Sequence, residues 1–249
     1  MRLREILDKL EDIAPFDTAQ EWDNVGLMLG DPDQEIGSVL VALDPTLETI
    51  SFARERSIDL IVTHHPLIFN PIKKIDLSFP IGKKIALLIK GDIALVSLHT
   101  NLDIAQGGVA DLLARSLGLL RITTNGMIRA GYIERSTLLE EWVRSLSALC
   151  REDIRIVDAY RDVYKVCVCP GSGMDLWQDA YEAGCDTFVT GDVTYHRALD
   201  AFEAGLNIVD LGHFGTEEII VRPLANILTQ RLPDVDIIAM EGKSLLKTI

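Results

Sequence analysis

Short apolar runs of strand length alternate with helical patterns along most of the chain, and this alternation restricts the fold more than any other feature. The predicted strands cover residues 38–44, 58–63, 93–98, 127–134, 154–159, 163–169, 187–190 and 207–211. The predicted helices cover residues 46–56, 81–90, 109–117, 175–183, 195–203 and 216–232, with a further helix opened by Thr137 and Glu140 at capping-box spacing. Unbroken Val, Ile and Leu strands between helices are typical of strands covered on both faces. The alternation therefore predicts an α/β fold with largely parallel or mixed sheets.

The turn at Asn125-Gly126 divides the chain into two predicted halves, residues 1–125 and 126–249, and leaves open whether the halves interleave. The halves resemble each other in two short motifs. Residues 59–63 align with residues 186–190, and residues 99–103 align with residues 213–217. An ancient duplication is the simplest account, although strand motifs this short also recur by chance.

The start of the chain follows a helical pattern, because Leu3, Ile6, Leu7, Leu10 and Ile13 repeat between charged residues. That pattern predicts an amphipathic helix packed on a domain, and it lacks the uninterrupted apolar stretch of a signal peptide. No apolar run approaches the roughly 20 residues that a bilayer-spanning helix needs. We therefore expect no membrane association and a cytoplasmic location.

Acidic residues outnumber basic residues by 38 to 24, which gives a formal net charge of −14. A surface of this sign repels a phosphate backbone, so the composition argues against nucleic-acid binding unless a local basic patch exists. The four cysteines are Cys150, Cys167, Cys169 and Cys185. They provide no second Cys/His pair at zinc-ribbon spacing, and we expect reduced thiols in the core.

The five histidines, His64, His65, His99, His196 and His213, each follow a predicted strand. In open α/β sheets, ligands bind at the carboxyl ends of the strands, where polar side chains from several strands meet. A single histidine at such a position is more often a cap or a satisfied core residue. Five histidines in the same kind of position favour a functional site.

Glu217 stands four positions after His213, and Asp103 stands four positions after His99. Glu217 also suits the first turn of the predicted helix on dipole grounds alone, a role that Glu218 could fill instead. Imidazoles and carboxylates without thiolates form a ligand set for Zn²⁺, Fe²⁺, Mn²⁺ or Co²⁺. Because more ligands are present than one tetrahedral ion needs, the set favours two ions that activate water as hydroxide.

Two other segments leave alternatives open. The loop Pro170-Gly-Ser-Gly173 is predicted as a tight turn rather than an anion cradle, and no Gly-Lys-Ser/Thr sequence of a phosphate-binding loop follows it. We assign no residue to an organic cofactor. In Glu21-Trp-Asp-Asn24, the tryptophan is predicted either to be buried among polar groups or to contact a substrate.

Several motifs together resemble a known family. They are Glu21-Trp-Asp-Asn-Val-Gly-Leu27, Thr63-His-His-Pro66, Ser97-Leu-His-Thr-Asn-Leu-Asp103, Gly171-Ser-Gly173, Thr190-Gly-Asp192 with His196, and Gly212-His-Phe-Gly-Thr-Glu217. In order and spacing they resemble the dinuclear-metal-centre hexameric proteins. These are also described as GTP cyclohydrolase I type 2 homologues or the interacting-factor-three family. The chain departs from the family pattern at Ile128, where we expect a glycine.

The resemblance implies a three-layer α/β/α fold with two related halves. It also implies a toroidal homohexamer, a trimer of dimers, whose sites face an internal cavity and hold two divalent metal ions per subunit. The implied metal ligands are His64, His65, Asp103, His213 and Glu217, with Glu217 bridging the ions. His99, Asp192 and His196 are expected behind the ligands or in the substrate cleft.

The function implied by the resemblance is a metal-dependent hydrolase of the GTP cyclohydrolase type that acts on a small molecule. The main alternative is a metal chaperone or insertase with the same ligands, exchangeable metal and no turnover. A third reading is an interaction scaffold with a structural metal. Spare ligands and open coordination positions argue against such a closed site.

Overall fold

The computed structural model describes residues 1–146 and 153–246, which form two compact units. Unit 1 comprises Met1–Ala105 and Ile220–Gly242. Unit 2 comprises the described residues between Gln106 and Ile219, together with the tail that begins at Lys243. The boundaries between the two units therefore fall after residues 105, 219 and 242. The domain division at residue 125 stays a prediction.

Unit 1 is built on a five-stranded sheet in the order β1-β4-β3-β2-β11. The strands are β1 (Gly26–Leu29), β2 (Ser38–Ala42), β3 (Leu60–Thr63), β4 (Ala94–Ser97) and β11 (Asp236–Met240). Strands β4, β3, β2 and β11 run parallel to their neighbours, whereas the edge strand β1 is antiparallel to β4. The carboxyl ends of β2, β3 and β4 therefore lie side by side at one edge.

Both faces of the unit 1 sheet are covered. The helices are α1 (Leu3–Glu11), α2 (Leu47–Glu55), α3 (Pro80–Gly91), α4 (Thr100–Ile104) and α10 (Val221–Arg231). On one face, Leu40, Ile61 and Leu95 share an apolar cluster with residues of α2 and α3. The alternate strand residues, such as Val41 and Val62, are equally buried on the other face, where α10 packs against β2 and β11.

Unit 2 contains a mixed six-stranded sheet in the order β5-β6-β8-β9-β10-β7. The strands are β5 (Leu120–Asn125), β6 (Ile128–Thr137), β7 (Arg155–Val157), β8 (Val163–Val168), β9 (Thr187–Thr190) and β10 (Asn207–Asp210). Strands β8, β9 and β10 are parallel, and the remaining pairs are antiparallel. The three central parallel strands thus match β2, β3 and β4 of unit 1 in arrangement.

Helices again lie on both faces in unit 2. They are α5 (Val109–Ser116), α6 (Leu139–Leu146), α7 (Trp177–Glu182), α8 (Tyr195–Glu203) and α9 (His213–Glu217). One apolar cluster joins Val166, Val189 and Val209 to residues of α5 and α6. A second cluster joins Phe188 and Ile208 to residues of α7 and α8. Each unit is therefore a three-layer arrangement, and the predicted α/β fold with mixed sheets is confirmed.

The two units also begin their equivalent strands in the same way. Asp59 precedes β3 and accepts a hydrogen bond from the backbone N–H of Ser38 at the start of β2, with an N···O distance of 2.9 Å. Asp186 precedes β9 and accepts one from Lys165 near the start of β8, at 2.7 Å. A carboxylate that satisfies backbone donors on the next strand fixes the register of both strands. The two units therefore resemble each other in this carboxylate contact as well as in the two aligned sequence motifs.

Several local expectations need correction. The helix predicted over 216–232 is interrupted, since α9 ends at Glu217 and a 3₁₀ turn separates it from α10. Thr137 lies in β6, and its hydroxyl donates to Glu141 rather than forming a capping box with Glu140. The strands β1, β5 and β11 and the short helix α4 were not predicted. Ile128, where a glycine was expected, is buried in a cluster with residues of α7 and α8.

The cysteines also differ from expectation. Cys167 and Cys185 form a disulfide with Cα atoms 5.9 Å apart, so these two residues are not reduced thiols. Cys169 is buried as expected, and Cys150 lies outside the described residues.

Among the described residues, no helix combines the length and the apolar character that crossing a bilayer requires.

Candidate metal centre

Three neighbouring strand ends position the polar side chains of unit 1. His64 and His65 follow β3 directly, Asp44 lies two residues beyond the end of β2, and His99 lies two residues beyond the end of β4. Because these strands are parallel neighbours, their carboxyl ends place all four residues at one edge of the sheet. The sequence prediction of a histidine cluster at this edge is therefore confirmed for unit 1.

Each histidine of this cluster has its Nδ1 atom held by an acceptor. The Nδ1 of His64 donates to the carbonyl oxygen of Leu98 at 2.9 Å. The Nδ1 of His65 lies 2.8 Å from a carboxylate oxygen of Asp44. Ionised carboxylates and carbonyls only accept, so Nδ1 carries a proton, and in the neutral ring Nε2 keeps its lone pair. This is the tautomer in which metal-binding histidines use Nε2.

The rings of His64, His65 and His99 converge. Their centroids are separated by 5.0, 5.1 and 5.6 Å, and one ring nitrogen of each lies within 4.8 Å of the others. The Nε2 of His64 also lies 3.7 Å from Oδ1 of Asp103, a residue of α4. That separation is too long for a hydrogen bond, but it is near the distance of about 3.3 Å that separates two ligands of one tetrahedral zinc ion.

His99 is held by a buried carboxylate. Its Nδ1 lies 2.8 Å from Oδ1 of Asp23, and the hydroxyl and backbone N–H of Thr100 donate to the other oxygen. Burial alone would raise the pKa of Asp23. The hydrogen bonds from His99 and Thr100, with the charge of His99, outweigh burial and lower the pKa to about 2. Asp23 therefore stays ionised and fixes the orientation of the His99 ring.

Unit 2 places His213 at the first position of α9 and Glu217 at the last. The Nδ1 of His213 lies 2.7 Å from Oδ2 of Asp192, and its Nε2 lies 3.0 Å from Oε2 of Glu217. With Nδ1 donating to Asp192, the Nε2 lone pair of neutral His213 faces a carboxylate oxygen. Two acceptors this close require a proton or a cation between them. The pair therefore offers two adjacent donor atoms that either a proton or one cation would hold together.

Glu217 does not serve as a helix-start acid, because it ends α9 instead of beginning a helix. The dipole explanation considered for this residue is therefore wrong. Its carboxylate is buried and lies against Gly171, where a Cβ atom would overlap Oε1 of Glu217. Gly171 also adopts φ +60°, a conformation that favours glycine. The close approach and the backbone conformation together explain the glycine.

The loop Pro170-Gly-Ser-Gly173 follows β8 and bends at Gly171 and Ser172. The N–H of Gly171 donates to the hydroxyl of Thr216 at 2.9 Å, and the N–H of Gly173 donates to the hydroxyl of Thr190 at 3.0 Å. Both amides are therefore engaged within unit 2. The loop supports Glu217 rather than cradling an anion through these amides.

Two residues lie elsewhere than the sequence predicted. His196 is the second residue of α8, where it is exposed and contacts the ring of Tyr195, so it does not follow a strand directly. Trp22 is 58% exposed, so the interpretation of a buried tryptophan is wrong. Asp44 and Asp23 were not predicted as histidine partners. The position of Asp44 beyond β2 was the available signal, because β2 and β3 are adjacent.

Comparisons with known proteins show the family and agree with this fold. A model of the Duf34/NIF3 (NGG1p interacting factor 3) family matches residues 1–244. A protein of Clostridium perfringens named GTP cyclohydrolase 1 type 2 homolog is 37% identical over 256 residues, covering 98% of each chain.

Solved structures extend the likeness. A Bacillus cereus protein related to NIF3 is similar with a TM-score of 0.93 and 25% identity, covering 100% of this chain and 99% of that one. Reduced HcgD from Methanocaldococcus jannaschii is similar with a TM-score of 0.86 and 34% identity, covering 97% of this chain and 98% of that one. From fold and sequence together, this chain belongs to the Duf34/NIF3 (NGG1p interacting factor 3) family.

Proposed function

We propose that this protein holds two divalent metal ions per subunit and uses them as a hydrolase of the GTP cyclohydrolase 1 type 2 homologue kind. The proposed ligands are His64, His65, Asp103, His213 and Glu217, with Glu217 bridging the ions. The observation that supports this most strongly is the state of the histidines. In both units Nδ1 is held by an acceptor, and the Nε2 atoms of His64 and His213 lie 3.7 and 3.0 Å from carboxylate oxygens.

The donor chemistry fits such ions. Imidazole nitrogens with carboxylate oxygens suit Zn²⁺, Fe²⁺, Mn²⁺ or Co²⁺, and carboxylates that hold the outer nitrogen are typical of metal-binding histidines. Asp44 would orient His65 in this way, and Asp192 would orient His213. When bound, the ions would supply a hydroxide at neutral pH and polarise an electrophilic carbon.

The residue best placed to move a proton is His99. Its Nδ1 is fixed by Asp23, so its Nε2 is the atom that would accept or donate a proton during the reaction. The ionised Asp23 would stabilise the imidazolium that forms when Nε2 is protonated, as the aspartate does in a Ser-His-Asp triad. We therefore assign His99 a proton-transfer role and leave metal binding to His64, His65 and His213.

The substrate proposal comes from the name of the Clostridium perfringens relative, which refers to GTP. In this reaction water cleaves the imidazole ring of guanine, and formate is released. The test is to load the purified protein with Zn²⁺, Mn²⁺ or Fe²⁺, add GTP and measure formate. Formate above a metal-free control supports the hydrolase. No formate with any metal, together with rapid metal transfer to a competing apo-protein, supports a metal chaperone or insertase instead.

Metal binding itself is tested by elemental analysis. We expect a ratio near two ions per chain in the wild type, and a clear loss in His64→Ala and His213→Ala. His196→Ala is the matched control, because the exposed His196 contacts only a neighbouring ring among the contacts described. Full occupancy in either of the first two variants would remove that histidine from the ligand set.

The family resemblance also leads us to propose a cytoplasmic homohexamer, a trimer of dimers with toroidal shape. Light scattering of the eluted protein measures its mass against six times 27.6 kDa. The variants above should keep the mass of the wild type, because they change side chains at strand and helix ends rather than the apolar core. A loss of mass in parallel with a loss of metal would mean that the metal is needed for assembly.

A further inference from the structure

Two exposed aromatic side chains of unit 1 lie beside the histidine cluster. Trp22 is 58% exposed and Phe69 is 43% exposed. Their ring centroids are 5.8 Å apart with a tilt of 52°, and each ring contacts His99, at 6.3 Å for Trp22 and 6.2 Å for Phe69. Trp22 and Phe69, here called the aromatic wall, thus extend the row of rings formed by the histidines out into solvent.

The wall is positioned by hydrogen bonds rather than by burial. The side-chain amide of Asn24 donates to the carbonyl oxygen of Ile68 at 2.6 Å, which joins the segment that carries Trp22 to the segment that carries Phe69. Asp23, which follows Trp22 directly, is bonded to His99 and Thr100. The same short segment therefore orients His99 and presents Trp22. This arrangement reduces the ordering cost that a ligand would otherwise meet on binding.

The wall exposes apolar ring surface on which the flat ring of a ligand would stack. Trp22 and Phe69 contact each other and the edge of the imidazole cluster, and the remaining ring surfaces face solvent. Stacking of a nucleobase on an aromatic side chain is worth about 1–3 kcal/mol, because the two flat faces exclude water and attract by dispersion. Because the two rings are tilted by 52°, a planar ligand that stacks on one of them meets the other at its edge, and both positions lie beside His99.

We propose that the aromatic wall binds the planar aromatic or heteroaromatic ring of the molecule that reacts at the histidine cluster. This inference rests on the proposed function and extends it, because it assigns ring recognition to Trp22 and Phe69. Ligands without a flat ring would bind to the metal-binding residues alone. A second copy of this chain packing on the wall is the competing explanation for its exposure, and the test below separates the two.

Tryptophan fluorescence gives a direct test. The chain has three tryptophans, and Trp142 and Trp177 are only 6% and 8% exposed, so ligand quenching reports on Trp22. Metal-free and metal-loaded protein are titrated separately with guanosine, GTP and, as a probe without a ring, tripolyphosphate. We expect saturable quenching by guanosine and GTP, and none by tripolyphosphate. If Trp22 fluorescence depends on protein concentration, as packing by a second copy predicts, the proposal is overturned. Equal quenching by tripolyphosphate would overturn it as well.

Phe69→Leu is the decisive variant, because it removes one ring of the wall and keeps the Trp22 reporter. We expect its dissociation constant for guanosine to rise about tenfold. Phe79→Leu is the matched control, since Phe79 is 61% exposed in the same unit and should leave the constant unchanged. Because Trp22→Leu lacks the fluorescent reporter, its affinity for guanosine is measured by calorimetry. We expect its dissociation constant to rise about tenfold as well. Equal affinity in wild type and Phe69→Leu would contradict the inference.

Metal content keeps this test separate from that of the proposed function. Wild type, Phe69→Leu and Trp22→Leu should have the same metal-to-chain ratio, because neither ring supplies a ligand atom. Ring binding in a protein that takes up no metal would support the wall and refute the dinuclear site. Normal metal content without saturable guanosine or GTP quenching would refute the wall and leave the metal site standing.

Discussion

The two aligned segments, residues 99–103 and 213–217, each contain a histidine followed four residues later by an acid, and the two copies use this spacing differently. In unit 2, His213 and Glu217 contact each other at 3.0 Å. In unit 1, His99 bonds Asp23, and the acid Asp103 approaches His64 instead. Equal spacing therefore does not give the two histidines equal roles.

The difference follows from where each short helix begins. His213 is the first residue of α9, so it and Glu217 occupy positions i and i+4 on one helical face. His99 is the N-cap of α4, with non-helical angles of φ −110° and ψ −108°, and its side chain leaves the helix axis in another direction. A one-residue shift in the helix start thus separates a histidine that faces its acid from one that does not.

The largest expected effect tests this division of roles. His213→Gln should weaken metal binding by more than about 100-fold, because it removes a proposed ligand atom, whereas loss of an outer-shell partner typically costs 10–100-fold. His99→Gln should keep metal and lower turnover by about 10²–10⁴-fold, as expected for a lost proton-transfer group. The measurements are elemental analysis and formate release. Loss of metal in His99→Gln would mean that His99 binds metal as His213 does, and that the two histidines have equivalent roles.

The sequence predicted the layers of the fold and the histidine cluster of unit 1 well. Unbroken apolar strands such as residues 93–98 are recognisable because both of their faces are buried, and adjacent parallel strands must bring their carboxyl ends together. The edge strands β1 and β5 were missed because β1 is partly exposed and β5 is almost wholly exposed, so neither has that pattern. The break between α9 and α10 was missed because residues 216–232 keep a helical pattern through the 3₁₀ turn.

The partners of the histidines were harder to predict. Asp44 lies 21 residues from His65, and Asp23 lies 76 residues from His99, so neither pairing produces a local signal. The buried Arg129 of unit 2, whose guanidinium pairs with Asp111, was missed for the same reason. Such pairs depend on the sheet order, which periodicity alone does not give.

The next effect concerns the carboxylates that orient the histidines in each unit. Asp44→Asn and Asp192→Asn should each weaken metal binding about 10–100-fold, because an amide that accepts more weakly holds the ring less firmly. Competition with a chelator of known affinity measures the change. Asp175→Asn is the control, since Asp175 is exposed and pairs with Arg197 away from any histidine. An effect in only one unit would show that the two histidines depend differently on their outer partner.

A smaller effect is expected from the glycine that supports Glu217, a feature of unit 2. Gly171→Ala should lower the free energy of unfolding by about 2–3 kcal/mol, combining the cost of a left-handed alanine with overlap of the Glu217 carboxylate. Gly107→Ala provides the comparison, because Gly107 has φ +76° and open space around its Cβ position, so only the backbone cost of about 1 kcal/mol applies. Urea unfolding of metal-free protein measures both. Equal losses would mean that Glu217 moves aside freely.

The smallest effect concerns acid stability, and it isolates the carboxylate that orients His99, as Asp192 orients His213. The folded pKa of Asp23 is about 2, below its ordinary value of 3.8. The ionised side chain therefore stabilises the fold fully above pH 3.8, and this contribution is lost as the pH falls through about 2. In metal-free protein, Asp23→Asn should accordingly be less stable than wild type at pH 6, with a difference that shrinks as the pH approaches 2.

Thr100→Val removes the hydroxyl that donates to Asp23, so it should raise the pKa of Asp23 toward 3.8. The carboxyl carbon shift of Asp23 in NMR measures this pKa. A midpoint near 3.8 in the wild type would mean that Asp23 does not hold His99 as Asp192 holds His213.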